Sequence, residues 1–81
     1  MENVRLSDIE NVSRNELNSS KLDSLENGYD SFETQLNSRN NPIALDRSSW
    51  SYRIINGRHR VFLARQKGYS SIPAEFVKKL R

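Results

Sequence analysis

One short segment constrains the fold more than any other: a strand pattern that runs through Asn56-Gly57 directly into a helical pattern. Residues 52–55 are rich in β-branched and aromatic side chains, which favours a strand. Residues 58–67 contain an uninterrupted apolar run and are followed by Gly68, a common end of a helix. Because glycine lets the backbone turn sharply, we predict a strand–turn–helix unit centred on Gly57.

The first turn of the predicted helix carries Arg58, His59 and Arg60. N–H groups at the start of a helix have no acceptor within the helix and attract an anion. Two guanidinium groups add fork-shaped donors that suit phosphate oxygens. We therefore predict that Gly57, Arg58, His59 and Arg60 bind a phosphate or another anion. In the structural alternative, the glycine serves only the turn and the arginines face solvent.

The first half of the chain predicts one strand and one long helix. Apolar and polar residues alternate over residues 3–9, so Val4 and Leu6 are expected to face a core, and a polar loop follows. A helix is predicted from Lys21 to Asn37, capped by Ser19 or Ser20 and kinked or split at Gly28. Its apolar stripe consists of Leu22, Leu25, Tyr29, Phe32 and Leu36.

The second half predicts a hairpin and a final strand. Residues 42–45 and 52–55 form the hairpin, with Trp50 near the tip of the connection. Residues 71–77 alternate and predict an edge strand, because Pro73 cannot donate a ladder hydrogen bond.

These elements predict one small α/β (α+β) domain over residues 1–81, in which a short mixed sheet packs against two main helices. Residues 1–19 supply a polar strand and loop, and residues 78–81 supply a basic tail that we expect to be mobile.

Charge is divided along the chain. Residues 1–46 hold 4 basic and 9 acidic side chains, whereas residues 47–81 hold 9 basic and 1 acidic, so the halves carry −5 and +8. This asymmetry predicts a basic C-terminal surface and an acidic partner, namely a nucleic acid, a nucleotide or an acidic protein. In the alternative, the two halves attract each other and leave an ordinary solvated surface.

Composition excludes several classes of chemistry. Without cysteine the chain has no disulfide, no Cys-type zinc site and no thiol catalysis, and its single histidine gives no zinc spacing. Four carboxylates of the predicted helix could in principle bind magnesium: Asp23, Glu26, Asp30 and Glu33. We favour the interpretation that they form the solvated face of that helix. No apolar run approaches the ~18 residues of a membrane span, and no signal-peptide pattern is present. We therefore expect a soluble, cytoplasmic protein without membrane contact.

Several of these motifs together resemble the ParB/sulfiredoxin family over most of residues 20–77. The family combines a strand, a G-x-x-R or G-x-H-R turn, a helix with a small residue four positions on, a glycine, and an I/V-P-A strand. The matching residues are Ile54-Ile55, Gly57-Arg58-His59-Arg60, Ala64, Gly68 and Ile72-Pro73-Ala74. Upstream, Pro42-Ile43-Ala44-Leu45 is similar to the family's P-I-x-V strand, and the stripe from Leu22 to Leu36 lies where its helix is expected.

The resemblance implies a ligand. In ParB-type domains the G-x-x-R turn contacts nucleotide phosphates, which implies that role for Gly57 and Arg60, with CTP or ATP as candidates. Arg14 is similar in position to an arginine of the family's upstream P-x-R segment. Sulfiredoxins have a catalytic cysteine where this chain has Arg58, so sulfinic acid reduction is excluded. The further nucleotide-contacting motif, helix-turn-helix region and dimerisation domain of ParB proteins are not matched, so operator binding and a complete CTP switch are not implied.

Three functions stay open. We favour a non-catalytic module that binds a nucleotide phosphate or a nucleic acid through the turn. A nucleic acid would also use the wider basic set of Arg47, Arg53, Arg65, Lys67, Lys78 and Lys79. Trp50 and Tyr52 are interpreted either as stacking on bases or as packing at the sheet edge, and an exposed Trp50 would suit a protein contact. The second function is a stand-alone regulator, of the kind phages and plasmids encode, that binds another protein. The third is a small nuclease or phosphotransferase with His59 as general base.

Overall fold

Four strands form one mixed sheet in the computed structural model, which describes residues 1–27, 31–48 and 50–77. The strands are β1 (Glu2–Arg5), β2 (Ala44–Asp46), β3 (Arg53–Asn56) and β4 (Ser71–Phe76), and their order in space is β1-β4-β2-β3. Strand β4 runs antiparallel to β1 and parallel to β2, and β2 pairs antiparallel with β3. The predicted mixed sheet and hairpin are therefore confirmed.

Three α-helices accompany the sheet in the described residues: α1 (Ser19–Asn27), α2 (Phe32–Leu36) and α3 (Arg58–Gln66). The long helix predicted from Lys21 to Asn37 is thus split into α1 and α2, as Gly28 indicated. Of the predicted stripe, Leu22, Phe32 and Leu36 are buried and Leu25 is partly buried. Gly28, Tyr29 and Asp30 lie outside the described residues.

The core brings the helices onto the sheet. Strands β2 and β4 contribute Leu45, Ile72 and Ala74, and α3 contributes Val61 and Ala64, all fully buried. The predicted strand–turn–helix unit is also confirmed, because β3 ends at Asn56 and α3 begins at Arg58. Burial of one face of α3 therefore fixes the place of its N-terminus relative to the sheet.

The prediction that residues 71–77 form an edge strand is wrong, since β4 lies between β1 and β2. The N–H groups of Glu75 and Val77 donate to the carbonyls of Ile43 and Leu45, at 2.9 and 2.8 Å. Backbone N–H groups alternate in direction along a strand, so an N–H at position 73 would point toward β2, as those of residues 75 and 77 do. Pairing with β2 begins only at Glu75, so no hydrogen bond is lost at position 73. Pro73 is therefore tolerated in a central strand.

Two boundaries near the N-terminus also differ from expectation. The strand predicted over residues 3–9 ends at Arg5, and a 3₁₀ turn follows at Leu6–Asp8, although Val4 and Leu6 are buried as predicted. Helix α1 is capped by Asn18 instead of Ser19 or Ser20. The Asn18 Oδ1 atom accepts hydrogen bonds from the N–H groups of Ser20 and Lys21, at 2.9 and 3.3 Å. These N–H groups belong to the first turn of α1 and have no acceptor within the helix.

The segment after β1 crosses from one sheet edge to the other. Ile9 forms a parallel bridge with Tyr52, whose N–H donates to the carbonyl of Asp8 and whose carbonyl accepts the N–H of Glu10, both at 2.9 Å. The Glu10 carboxylate accepts the N–H of Ile54 at 2.6 Å. The segment thus covers the outer edge of β3, where backbone groups would be unpaired without it.

Candidate anion-binding site

Gly57 forms the turn between β3 and α3 and is the N-cap residue of α3, with a φ of +101°. A Cβ atom added there would lie 2.8 Å from Cγ1 of Ile43 and 3.2 Å from Nη2 of Arg60. Both the positive φ and the close contact with Ile43 therefore require glycine. The turn is packed directly against Ile43, the residue just before β2.

A cavity of about 390 Å³ lies at this turn, between the starts of α1 and α3. Three of its lining side chains are basic (Lys21, Arg58 and Arg60), and none of the described lining residues is acidic. The full lining consists of Ser20, Lys21, Ser24, Leu25, Gln35, Asn41, Asn56, Gly57, Arg58, His59 and Arg60. The structure thus brings the four predicted residues of the turn together around one opening.

The start of α3 contributes backbone donors to this cavity. The N–H of Val61 bonds to the carbonyl of Gly57 at 3.0 Å, which is the first α-helical hydrogen bond. The N–H groups of Arg58, His59 and Arg60 come before it and have no acceptor within the helix. The cavity therefore combines backbone donors, the positive end of a helix dipole and basic side chains.

Arg60 is buried, with only 6% of its surface exposed. Its Nη1 atom donates to the carbonyls of Gln35 and Asn41, at 3.1 and 2.7 Å. Burial lowers the pKa of the Arg60 guanidinium because the charged form loses water. Among the described residues no carboxylate pairs with it. Arg60 thus places a positive charge behind the turn that only neutral groups compensate.

Arg58 is the outer arginine of the turn and pairs with acidic residues of the N-terminal segment. Its Nη1 atom lies 3.2 Å from a carboxylate oxygen of Glu16, and its Nη2 atom lies 3.8 Å from one of Glu10. The backbone hydrogen bond from Ser13, with a smaller contribution from the charge of Arg58, lowers the pKa of Glu16. Part of the charge of Arg58 is therefore already compensated.

His59 contacts the chain just before α1. Its Nε2 atom accepts the N–H of Asn18 at 3.0 Å, so this nitrogen carries no proton. Burial lowers the pKa of the imidazole, and the nearby charges of Lys21 and Arg58 lower it further. His59 is therefore a neutral member of the lining at pH 7.

Arg14 is not brought to the cavity. It begins a 3₁₀ turn, Arg14–Glu16, and its guanidinium lies 5.9 Å from the centre of the Phe62 ring. The ligand-contacting role that the family resemblance implied for Arg14 stays a prediction without a matching contact.

The wider basic set is spread over the molecule. Arg47 pairs with Glu2 at 3.2 Å and lies 3.8 Å above the Phe76 ring, and Arg53 is exposed on β3. Lys67, at the far end of α3 from the cavity, lies 5.3 Å from the Phe32 ring. Lys78 and Lys79 lie outside the described residues.

Arg65 serves the fold directly. Its guanidinium donates to the carbonyls of Leu6, Ile9 and Glu10, at 2.9, 2.7 and 2.9 Å. These three bonds hold the segment that follows β1 against α3, so most of the donors of this arginine are already used within the fold.

Trp50 is exposed by 74%. Its ring meets Tyr52 edge-on at 5.8 Å, and Tyr52 in turn meets Phe76 at 5.0 Å. Tyr52 is half-buried, as the packing interpretation expected, whereas Trp50 adds a largely free aromatic face.

Lys21 is the basic lining residue that sequence reasoning missed. It lies in the first turn of α1 and reaches the cavity only because α1 and α3 begin side by side. The sequence did contain a signal, since Lys21 is the only basic residue between Arg14 and Arg39.

No group of three or more His, Cys, Asp or Glu side chains within residues 1–27, 31–48 and 50–77 is placed to hold a metal ion. No helix in this part of the chain combines the length and apolar character needed to cross a membrane.

Together, the fold and the site define a small mixed α/β domain with a basic cavity at a strand–helix turn. In comparisons with known proteins, no family model, no curated protein and no solved structure matches this chain. The ParB/sulfiredoxin resemblance therefore stays a prediction from the motifs.

Proposed function

We propose that the cavity at the start of α3 binds the phosphate group of a nucleotide without catalysing a reaction. The observation that carries this proposal is the composition of the lining, which has three basic side chains and no acidic one among the described residues. Phosphate oxygens accept hydrogen bonds from backbone N–H groups and pair with basic side chains, and the start of α3 offers both.

Each basic residue has a different part in this proposal. Lys21 is exposed at the mouth and supplies a mobile ammonium group. Arg60 supplies a fixed charge from behind the turn, because its carbonyl bonds hold it in place. Arg58 moves toward the ligand by giving up part of its pairing with Glu16 and Glu10.

A nucleotide is favoured over a nucleic acid by the placement of the other basic residues. Binding along a nucleic-acid backbone needs a continuous basic track. Here Arg47 pairs with Glu2, Arg65 is occupied by three carbonyls, and Lys67 lies at the opposite end of α3. Arg53 is exposed on β3 but lies outside the cavity lining, whereas Lys21, Arg58 and Arg60 meet at one turn. This grouping suits a single phosphate-bearing ligand such as CTP or ATP.

Binding is also favoured over general-base chemistry by the geometry of His59. Its Nε2 atom, the acceptor that would take a proton, is occupied by the N–H of Asn18.

Titration of the ¹⁵N-labelled protein with pyrophosphate, CTP and ATP tests this proposal. We expect saturable NMR shifts of the amides of residues 56–61 and of Lys21. Lys21→Gln should weaken pyrophosphate binding about fivefold, the effect of losing roughly 1 kcal/mol of one exposed ion pair.

The matched control is Arg5→Gln, which removes one exposed positive charge on β1, away from the cavity lining. It should leave the affinity nearly unchanged. No shift at millimolar pyrophosphate, or equal weakening by both variants, would contradict the proposed site. Either result would favour the alternative function, a regulator that binds another protein and could use the exposed Trp50 as a contact.

A further inference from the structure

A single residue, Asn18, joins the starts of α1 and α3. Its side-chain oxygen caps α1 by accepting the N–H groups of Ser20 and Lys21. Its backbone N–H donates to Nε2 of His59, at 3.0 Å, across 41 residues of sequence. The position of the first turn of α1 over the cavity is therefore tied to the imidazole on α3.

The chemistry of imidazole makes this tie dependent on one proton. Nε2 accepts a hydrogen bond only when it is unprotonated, and the neutral ring then carries its proton on Nδ1. In the imidazolium form both ring nitrogens are donors. An N–H on Nε2 would face the N–H of Asn18, so protonation replaces an attraction with a repulsion.

The charged groups around His59 favour the neutral form. Lys21 faces the ring from α1 and Arg58 from α3, and both are positive. The acidic residues on the neighbouring N-terminal segment, Glu10 and Glu16, pair with Arg58. The pKa of His59 is accordingly lowered, first by burial and then by the charges of Lys21 and Arg58. The tie is thus formed at neutral pH and is broken only under more acidic conditions.

We propose that His59 is a pH-sensitive latch that holds the start of α1 against α3. With a neutral imidazole the latch is closed and Lys21 stays at the cavity. With a protonated imidazole the bond to Asn18 is lost, and residues 18–21 are released from α3. The latch is a property of the free protein and stands whether or not the cavity binds phosphate.

The test is an NMR pH titration of the free 81-residue chain between pH 7.5 and 5. ¹⁵N imidazole spectra should show the proton on Nδ1 at pH 7.5. As His59 titrates, the amide resonance of Asn18 should shift with the same midpoint. Hydrogen exchange at Ser20 and Lys21, corrected for its intrinsic pH dependence, should accelerate about tenfold as one hydrogen bond of the cap region is lost.

The matched control is His59→Gln, whose side-chain oxygen can accept the Asn18 N–H but does not titrate. The amides of Ile72 and Ala74, at the fully buried centre of the sheet, report whether the variant is folded. The pH response of Asn18 should disappear in this variant. An Asn18 amide that stays constant while the imidazole titrates, or an equal response in His59→Gln, would overturn the latch. Because no ligand is present, neither result bears on phosphate binding.

Discussion

Gly57 serves the backbone and the cavity at once. Its positive φ turns the chain from β3 into α3, and its missing side chain leaves room for Ile43 and Arg60. A side chain at this position would therefore meet two separate penalties, one from the backbone conformation and one from the contact with Ile43. Gly68 has a similar φ of +84° but no atom within 4 Å of an added Cβ. The two glycines separate the penalties.

Gly68→Ala is expected to lower the free energy of unfolding by about 1 kcal/mol, the cost of a left-handed backbone for an L-residue. Gly57→Ala should cost about 2–4 kcal/mol, because the clash with Ile43 is added. Urea unfolding of both variants measures the difference. Equal losses would show that Ile43 yields without cost.

Arg60 shows what sequence reasoning reaches at the scale of a residue. The pattern identified an arginine at a helix start, and the structure places it at the cavity. The sequence did not indicate that its guanidinium would donate to the carbonyl of Gln35 in α2 and to that of Asn41 in the loop after α2. Such bonds depend on tertiary packing, which a local pattern does not contain.

At the scale of elements, α3 supports the N-terminal segment as well as the cavity. Arg65 donates to three carbonyls between residues 6 and 10, and the same segment covers the outer edge of β3 through Tyr52. One helix therefore positions the turn at its start and closes the sheet edge through its last turn.

Arg65→Gln is expected to destabilise the protein by about 2–3 kcal/mol, because bonds from a charged donor to several carbonyls are lost. Hydrogen exchange should accelerate first at Glu10, whose N–H bonds to Tyr52 across the segment. Lys67→Gln, one residue beyond the end of α3 and exposed, is the control and should change stability by less than about 0.5 kcal/mol. Unchanged exchange at Glu10 in Arg65→Gln would mean that the segment is held without the arginine.

The elements with strong local signals were predicted well. Helix α3 and the β2–β3 hairpin follow from apolar runs bounded by glycine and by turn residues. The prediction that β4 is an edge strand was wrong, because a proline is excluded from a central strand only where the neighbouring strand needs its N–H. The Asn18 cap was missed because Ser19 and Ser20 have the same capping chemistry as Asn18.

At the scale of the whole molecule, the charge division seen in the sequence reappears as contacts. The described ion pairs, Glu2–Arg47, Glu10–Arg58 and Glu16–Arg58, each join an acid of residues 1–46 to an arginine of residues 47–81. This favours the alternative in which the two halves attract each other. At the cavity, the described lining contains basic side chains and no acidic one, and Glu10 and Glu16 reach only the outer arginine, Arg58.

The sheet is expected to unfold as one unit, because Val4 of β1 belongs to the same hydrophobic core as Leu45 and Ile72 of the central strands. Val4→Ala, at a buried position of β1, should lower the free energy of unfolding by about 2 kcal/mol. Circular dichroism and aromatic fluorescence should report the same urea midpoint. Val12→Ala, at a partly buried position outside the sheet, is the control and should cost less. Separate midpoints for the two probes would show that β1 detaches by itself.

The central place of β4 also has a consequence for synthesis. A ribosome produces β1 first and β4 last, so during translation β1 has no strand to pair with, and the β2–β3 hairpin has one edge open. Pairing between segments so far apart in sequence is slow, because closing a long loop costs entropy before any stabilising contact forms. We therefore expect the nascent chain to reach its native sheet in one late step, after residues 71–76 have left the exit tunnel.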